Sequence, residues 1–344
     1  MQSEDELGVP TIADVAHAAQ VSTATVSRCL NSPERVNVKT REKVEQAIQA
    51  LGYTPNFGAR ALAANRTNTV GAVIPTMDNA IFARGLQAFQ ETLHDQGVTL
   101  LVATSHYRPE IEEEQIRTLL ARGADGLLLI GYERSARLQD YLARRGIATV
   151  IAWAYDPASA VPAIGFDNKR AMAGLVHQVL DHGHRRLGVI SAETATNDRA
   201  RDRVAAVREV MQARGLPQDA LHVIETQYAI DAGGAALAEL MAAKPRPTAV
   251  LCGNDVLAVG ALREAKRLGY RVPEDLSITG FDDIELAAIA EPALTTVHVP
   301  HREMGRRSAL ALLSMVRGEA PPESVELTTD LRLRASLGPA PEVA

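Results

Sequence analysis

Two kinds of hydrophobic pattern divide this chain. Up to about residue 52, apolar positions recur at the spacing of short amphipathic helices, and they predict helices over roughly 12–19, 23–30 and 38–51. From Val70 onward, short apolar runs alternate with longer helical patterns, which is typical of parallel βαβ units. The sequence therefore predicts a small all-α module followed by a larger α/β module.

The boundaries of the three helices are marked by capping residues. Thr11, followed by Asp14, has the spacing of a capping box, and Ser22 is a good N-cap for the second helix. Gly52 follows the third helix as a C-cap. The tight turn at 20–22 has the spacing of a helix-turn-helix, and the residues expected to face inward are Val26, Cys29, Leu30, Val44, Ile48 and Leu51. On spacing alone, such a bundle binds either DNA or protein.

The apolar runs of the larger module fall into two similar sets. The predicted strands are 71–74, 99–102, 126–130 and 148–151 in the first set, and 187–190, 221–224, 248–251 and 276–279 in the second. Several of the helices between them end at a glycine, namely Gly97, Gly123, Gly146, Gly215 and Gly269. This pattern predicts two doubly wound parallel-sheet subdomains in tandem.

Ligands of such sheets bind beyond the carboxyl ends of the strands, so the residues after each strand are candidate ligand contacts. After the first set come Asp78, Phe82, Ser105, His106, Tyr132 and Trp153, and after the second set come 197–203, Tyr228, Asn254, Asp255, Phe281 and Asp282. Carboxylates, amides and arginines bind hydroxyls or an anionic group, and aromatic rings cover the C–H face of a sugar. Because aromatic residues make up only 4% of the chain, their presence here favours a sugar-type ligand.

The charge of the whole chain conceals a difference between the modules. The net charge is −6, which argues against a nucleic-acid partner, yet residues 1–68 hold 7 Lys/Arg and 7 Asp/Glu while the rest holds 29 and 35. Without the acidic stretch Glu4–Glu6, residues 7–68 carry +3. The front module is mildly basic and the back module acidic, so charge per module leaves a nucleic-acid partner open.

Several classes of protein are disfavoured. No apolar run approaches the ~20 residues that a membrane helix needs, and the acidic start MQSEDE is unlike an export signal, so we expect a cytoplasmic protein without a membrane partner. Cys29 and Cys252 cannot make a disulfide framework or a zinc cluster, and His182 and His184 lack a third ligand at metal spacing. Neither a nucleophile elbow, a P-loop nor a dinucleotide fingerprint is found. We expect no enzyme, metal or cofactor.

Four segments of the front module carry a family resemblance: TIADVA (11–16), VSTATVSRCLN (21–31), VKTREKV (38–44) and LGYTPN (51–56). They resemble the headpiece of the lactose/galactose repressor (LacI/GalR) family. The similarity resumes at HGHRRLGVI (182–190), NDVLAVGAL (254–262), VPEDLSITGFDD (272–283) and LTTV (294–297), so it covers nearly the whole chain.

The resemblance implies how the front module binds operator DNA. The second helix would lie in the major groove, and 56–65 would form a hinge helix whose Leu62 wedges open a base step in the minor groove. The residues implied to contact DNA are Ile12, Ala13, Thr23, Ala24, Thr25, Ser27, Arg28, Asn31, Asn37, Thr40, Tyr53, Asn56, Ala59 and Leu62.

The resemblance also selects effector-binding residues in the core. Arg203 best matches the family's effector-binding arginine, with Arg201 as second choice, while Asn254-Asp255 and Phe281-Asp282 match further ligand positions. The full set is Asp78, Phe82, His106, Tyr132, Trp153, Arg201, Arg203, Tyr228, Asn254, Asp255, Phe281 and Asp282. Trp153 departs from the family, which more often has Asp there. Segments 106–115 and 163–168 resemble the gluconate-repressor branch, so the resemblance implies a sugar or sugar acid.

The expected organisation has four parts: a disordered tail (1–10), the helix-turn-helix headpiece (11–55), a hinge and linker (56–68), and a periplasmic-binding-protein-like core (69–344). Within the core, one subdomain would comprise about 69–163 and 298–325, and the other about 164–297 and 326–338. We expect a sugar-responsive transcriptional repressor that binds its operator as a homodimer. The alternative is a periplasmic-type sugar-binding protein, which would have a signal peptide and no headpiece.

Overall fold

A computed structural model describes residues 9–54, 66–78 and 80–342. The chain divides into two compact units, Met1–Thr67 and Asn68–Ala344. We call them the headpiece and the core. Residues 1–8 of the predicted tail and residues 56–65 of the predicted hinge and linker lie outside the described residues.

The headpiece is a bundle of three helices, α1 (Ile12–Ala18), α2 (Thr23–Asn31) and α3 (Val38–Leu51), with a 3-10 turn at Pro33–Arg35. Its centre is an apolar cluster formed by Val15, Ala16, Ala19, Val26, Cys29, Val44 and Ala47. Leu51 was expected to face inward, but it is exposed because it lies at the end of α3, beyond the neighbouring helices. The other inward positions are buried or partly buried.

Local capping interactions define the ends of these helices. The Thr11 amide donates to the Asp14 carboxylate at 2.8 Å, and the Asp14 amide donates to the Thr11 hydroxyl, which completes the capping box. Ser22 accepts a hydrogen bond from the Thr25 amide at 3.2 Å. Gly52 has a φ of +63°, the left-handed conformation that ends α3. These bonds satisfy backbone groups that a short helix leaves unpaired.

The first sheet of the core is entirely parallel, with the order β11-β5-β4-β3-β1-β2. Its strands are β1 (Thr69–Ile74), β2 (Thr99–Thr104), β3 (Gly126–Ile130), β4 (Ala148–Ala152), β5 (Ala163–Gly165) and β11 (Val325–Glu326). The accompanying helices are α4 (Ala80–His94), α5 (Pro109–Ala121), α6 (Ala136–Arg144) and α12 (His301–Val316). Helix α12 packs against α4 and β4.

The second sheet is also parallel and has the order β7-β6-β8-β9. Its strands are β6 (Leu187–Ser191), β7 (Leu221–Glu225), β8 (Ala249–Cys252) and β9 (Ser277–Thr279), and its helices are α7 (Asn168–Asp181), α8 (Asp198–Ala213), α9 (Ile230–Ala242), α10 (Asp255–Arg267) and α11 (Glu285–Ile289). Gln218–Ala220 forms a 3-10 turn. A separate antiparallel pair joins β10 (Thr296–His298) to β12 (Asp330–Arg332).

The eight predicted strands are all present, but four short ones were missed. β5, β10, β11 and β12 each have two or three residues, too few for a periodicity to show. The predicted subdomain limits of about 163 and 325 coincide with the first residues of β5 and β11. Gly165 pairs with Glu326 in the first sheet, so the first subdomain extends to both residues.

His184 ties the second sheet to the end of the chain. Its ring is fully buried; Nδ1 lies 3.0 Å from the Thr248 hydroxyl, and Nε2 lies 3.1 Å from both the Ser277 hydroxyl and the Gly338 carbonyl. Because a carbonyl only accepts, the hydrogen is assigned to Nε2. Both ring nitrogens are thus used in structural hydrogen bonds. Burial lowers the pKa of His184 to about 4.

We expect the stability conferred by His184 to decrease in acid. The unfolded chain binds a proton at this histidine near its ordinary pKa of ~6.5, whereas the folded chain resists protonation until about pH 4. The free energy of unfolding therefore falls as the pH decreases through this window. In urea titrations, the stability advantage of the wild type over His184→Gln should shrink from pH 7 to pH 5. A pH-independent advantage over His184→Gln would contradict this assignment.

Candidate functional site

The second helix of the headpiece presents a polar face. Thr23, Ala24, Arg28 and Asn31 are exposed, and Thr25 and Ser27 are partly exposed. The Asn31 amide donates to the Ser27 hydroxyl at 3.2 Å, and the hydroxyls of Ser22 and Thr25 lie 2.9 Å apart. The face therefore combines short, internally braced hydroxyls with one arginine that has no ion-pair partner among the described residues.

The remaining nominated headpiece residues divide into three groups. Ala13, Asn37 and Thr40 are at least partly accessible, and Asn37 also caps α3 through the Lys39 amide at 2.9 Å. Ile12 and Tyr53 are half-buried against the apolar cluster, so packing already occupies part of each side chain. The hinge positions Asn56, Ala59 and Leu62 lie outside the described residues.

In the core, a cavity of about 20 Å³ lies where the carboxyl ends of the two sheets meet, with room for about one water molecule. We call this space the cleft cavity. Tyr107 reaches it from the loop after β2, Trp153 follows β4, and Asp282 follows β9. Its lining consists of Ile81, Phe82, Tyr107, Trp153, Phe166, Asn168, Asn197, Arg199, Arg203, Tyr228 and Asp282. Both subdomains contribute to it.

Arg203 is held at the centre of this lining by neutral groups. Its Nη1 donates to the Asn168 side-chain oxygen at 2.6 Å, and its Nη2 donates to the Tyr228 hydroxyl at 2.8 Å. The guanidinium carbon lies 4.7 Å from the centre of the Phe281 ring, a cation–π contact. Its Nε is buried and has no hydrogen-bond partner within the part of the chain that the structure describes. Arg203 is 8% exposed, and no carboxylate of the described residues forms an ion pair with it.

Asp282 faces Arg203 and Arg199 from the other wall. Burial raises the pKa of Asp282 to about 7, although both arginines act to lower it. His301 Nε2 lies 3.2 Å from the Asp282 carbonyl, so the hydrogen is assigned to this nitrogen, and Nδ1 has no partner in the described ranges of the chain. Burial also lowers the pKa of His301 to about 4, so this ring is neutral where Asp282 titrates.

Trp153 forms one apolar wall of the cavity. Its ring packs edge-on against Phe82 with 5.3 Å between centroids, and its backbone has a φ of +60°. The indole fits because α4 has a glycine beneath it: a Cβ on Gly85 would lie 2.5 Å from the ring. The indole Nε1–H is buried and has no partner among the described residues. Trp153 thus offers both a flat apolar surface and an unused donor.

Several nominated core residues lie elsewhere. Asn254 caps α10 through the Leu257 amide, and Asp255 accepts from the Thr296 hydroxyl at 2.6 Å and the Ile284 amide at 2.8 Å, so both side chains have structural roles. Phe281 lies beneath Arg203 rather than in the lining. Arg201 is exposed and pairs with Glu133 at 2.5 Å. Asp78, His106 and Tyr132 line other surface depressions.

Other lining residues were missed or only included in a range. Asn168 and Phe166 follow β5, whose three residues did not reveal a strand, so no strand exit was sought there. Tyr107 comes one residue after the nominated His106, and two successive left-handed residues turn its ring inward. Asn197 and Arg199 were covered by the range 197–203. Ile81 lies next to the nominated Phe82. The positions after the strands therefore predict where the cleft cavity lies, whereas the conformation of each loop determines which of its side chains line the cavity.

Neither a cluster of metal ligands nor a membrane-spanning helix is found in the described residues. Among residues 9–54, 66–78 and 80–342, no group of three or more His, Cys, Asp or Glu side chains is placed to hold a metal ion. None of the helices in these ranges is long and apolar enough to cross a membrane.

Comparison with known proteins assigns a family to each part of the chain. Residues 11–56 match the model of bacterial regulatory proteins of the lacI family, and residues 176–337 match the periplasmic binding protein-like domain. These matches coincide with the headpiece and with most of the second subdomain. They support a DNA-binding unit joined to a ligand-binding core.

Similar proteins extend the match over almost the full length. The regulator GntR of Pseudomonas aeruginosa is 33% identical over 96% of each chain, and the repressor CytR of Escherichia coli K12 is 31% identical over 93% of each chain. The crystal structure of the Lac repressor dimer bound to operator and an anti-inducer superposes with a TM-score of 0.84 at 25% identity, covering 96% of this chain and 100% of that one. The chain therefore belongs to the lacI family and is a DNA-binding transcriptional regulator with an effector-binding core, not an enzyme.

Proposed function

We propose that this regulator is a cytoplasmic homodimeric repressor of carbohydrate or sugar-acid catabolic genes, and that a small sugar acid bound in the cleft cavity controls its affinity for the operator. Each headpiece reads one half of a pseudo-palindromic site. Arg203 carries the effector part of this proposal, and α2 carries the operator part.

The unpaired charge of Arg203 favours an anionic effector. Burying an ionised group is costly unless an opposite charge or several hydrogen bonds compensate it. Arg203 has two hydrogen bonds to neutral acceptors, one aromatic face and an unused Nε–H. A ligand carboxylate would supply the missing negative charge and accept from Nε. This arrangement is the single observation that supports a sugar acid over a neutral sugar.

The other walls suit the carbon skeleton and hydroxyls of such a ligand. Five of the chain's 13 aromatic residues line the cleft cavity, and they provide flat apolar surfaces for C–H groups. Trp153 Nε1–H is an unused donor, and His301 Nδ1, behind the Trp153 ring, is an unused acceptor. Because the cavity holds only about 20 Å³, the subdomains must separate for a sugar acid to enter. The ligand can then shift the equilibrium between open and closed forms to the extent that it binds them unequally.

The surface of the first sheet supports the homodimer. Strand β2 lies at the open edge of the sheet, and next to it a depression of about 620 Å³ is lined partly by Met77, Val102 and Ile111. Met77 is 62% exposed. An uncovered edge with apolar side chains is a surface that proteins commonly pair or cover. The Lac repressor, similar to this chain over its full length, is a dimer on its operator.

We expect Arg28→Ala to weaken operator binding about 5- to 150-fold, which corresponds to the ~1 to 3 kcal/mol of one specific arginine–base contact. The reason is that Arg28 is exposed on α2 and free of ion pairs among the described residues. Fluorescence anisotropy with operator DNA measures this loss. Gln49→Ala, at an exposed position of α3, is the matched control. Equal affinities for the wild type and Arg28→Ala would contradict the role of Arg28.

We expect Arg203→Gln to abolish the response to the effector while leaving operator affinity unchanged. The substitution removes the buried positive charge but retains hydrogen-bonding capacity toward Asn168 and Tyr228. A thermal-shift screen with sugars, sugar acids and sugar phosphates first identifies the effector, because a ligand that binds the folded state raises the unfolding temperature. Operator release is then titrated for both proteins. Response of the variant at the wild-type ligand concentration would refute the assignment.

We expect affinity for a sugar acid to decrease between pH 6 and pH 8. Asp282, with a pKa of about 7, is largely neutral at the lower pH and negatively charged at the higher one, where it repels the ligand carboxylate. The other groups that face it are the guanidinium groups of Arg199 and Arg203 and the ring of His301, whose pKa of about 4 leaves it neutral in this range. Calorimetric titration of Asp282→Asn should show little of this pH dependence. An unchanged slope in that variant would assign the titration to another group.

A further inference from the structure

The carboxylate of Asp198 joins the two halves of the core. One oxygen accepts from the backbone N–H of Tyr132 at 2.5 Å, and the other accepts from Arg199 Nη1 at 2.7 Å. Tyr132 comes directly after the turn that ends β3 in the first subdomain, whereas Asp198 begins α8 in the second. Asp198 is 9% exposed and Arg199 8% exposed. A single buried carboxylate therefore bridges the subdomains and orients a guanidinium at the same time.

The turn that receives this carboxylate is firmly anchored. Arg134 donates to the carbonyl oxygens of Ile130 and Gly131 and pairs with Glu112 at 2.8 Å, with side-chain exposures of 4% for Arg134 and 11% for Glu112. The Gly131 amide donates to the Ala152 carbonyl at 3.0 Å. This bracing holds the Tyr132 N–H in one direction. The first subdomain therefore presents a preformed donor to Asp198.

Gly131 leaves the space that the ion pair occupies. Its φ is +67°, and a Cβ at this position would overlap Arg199 Nη1 and lie 2.5 Å from Asp198 Oδ1. Any side chain at residue 131 would thus displace the Arg199 guanidinium and the Asp198 carboxylate from their paired positions. Gly146 has a similar φ of +60°, but a Cβ there would meet nothing within 4 Å. An alanine would therefore adopt an unfavourable positive φ at both positions, but its methyl group would contact other residues only at position 131.

We propose that Asp198 is a positioning residue that fastens the closed cleft and places the Arg199 guanidinium at the wall of the cleft cavity. Arg199 lines this cavity and the adjoining one, and beyond Nη1 its guanidinium has no hydrogen-bond partner among the described residues. A ligand in the cleft gains the contact with Arg199 only when Asp198 is docked on Tyr132. The ligand consequently binds the closed form more tightly than the open one, which is the unequal affinity that regulation requires.

A second ion pair between the subdomains, Arg201–Glu133, is exposed to solvent. Arg201 and Glu133 lie 2.5 Å apart, but their side chains are 48% and 38% exposed. Ion pairs in water at the surface are screened and contribute little. The buried bond to Asp198 therefore dominates closure on this side of the cleft. The part of the proposal that concerns closure is independent of the effector, and the part that concerns Arg199 and the ligand rests on the proposed function.

The first experiment compares Gly131→Ala with Gly146→Ala in the full-length protein without any ligand. Trp153, the only tryptophan, is 3% exposed in the cleft wall, so acrylamide quenching of its fluorescence reports opening. We expect quenching to increase severalfold in Gly131→Ala and to remain at the wild-type level in Gly146→Ala. Equal quenching in the wild type and Gly131→Ala would overturn the proposal.

The second experiment tests the carboxylate itself. Amide hydrogen exchange at Tyr132 should accelerate about 10- to 100-fold in Asp198→Ala, the range expected for loss of a hydrogen bond to a charged group, while exchange in β3 stays unchanged. Asp198→Asn keeps an acceptor oxygen but not the charge, so an intermediate rate is expected, and this variant serves if Gly131→Ala fails to fold. Unchanged protection of Tyr132 in Asp198→Ala would also overturn the proposal.

The part of the proposal that concerns Arg199 and the ligand is tested separately, by calorimetric titration with D-gluconate. Asp198→Ala should bind it about tenfold more weakly than the wild type, and equal affinities would refute the placement of Arg199 on the ligand. If the wild type does not bind D-gluconate but does bind another member of the sugar panel, the same comparison is made with that member. If no sugar acid binds, the proposed effector class fails, while quenching and exchange still decide the role of Asp198.

Discussion

A buried guanidinium that lacks a paired carboxylate is the constraint around which the core is organised. Arg203 depends on the Asn168 amide, the Tyr228 hydroxyl and the ring of Phe281, which come from three different elements. These groups meet because parallel strands of two sheets direct their carboxyl ends toward one another. The positive charge of Arg203 acts to lower the pKa of Asp282, but burial raises that pKa to about 7. The carboxyl group is therefore only partly ionised at neutral pH. The positive charge of Arg203 is therefore not neutralised by an ion pair among the described residues, and this supports the anionic effector that we propose.

The headpiece binds DNA through another kind of interaction than the core uses for its ligand. Its described face carries short hydroxyls and a single free arginine on α2, and the acidic excess of the chain belongs to the core. Contacts to phosphate from Ser, Thr, Asn and helix N-termini position a protein on DNA without a large net charge. Charge per domain is therefore a better guide to the partner than the net charge of −6. Electrostatic screening still weakens such binding as salt increases.

Closure of the cleft links ligand contact to the arrangement of the core. Gly131 and Asp198 are 67 positions apart in the sequence, yet the absence of a side chain at one permits the docking of the other. Trp153 shows a comparable dependence, because Gly85 on α4 vacates the volume that the indole fills. Each close approach involves residues that are distant in the chain. A Cβ at either glycine would lie closer than 3 Å to these distant side chains.

The sequence by itself determined the elements whose information is local. The capping box at Thr11, the left-handed Gly52 and the apolar runs of the long strands depend on residues within a few positions, so the headpiece and both sheets could be predicted. Strand exits likewise located the cleft cavity and seven of its lining residues, three of them only within the range 197–203. The tertiary structure alone decided that β5 and β11 pair, that Asn168 and Tyr107 enter the cavity, and that Asn254 and Asp255 make hydrogen bonds within the second subdomain. These outcomes depend on contacts between distant segments and on loop conformation, which no local pattern of residue types encodes.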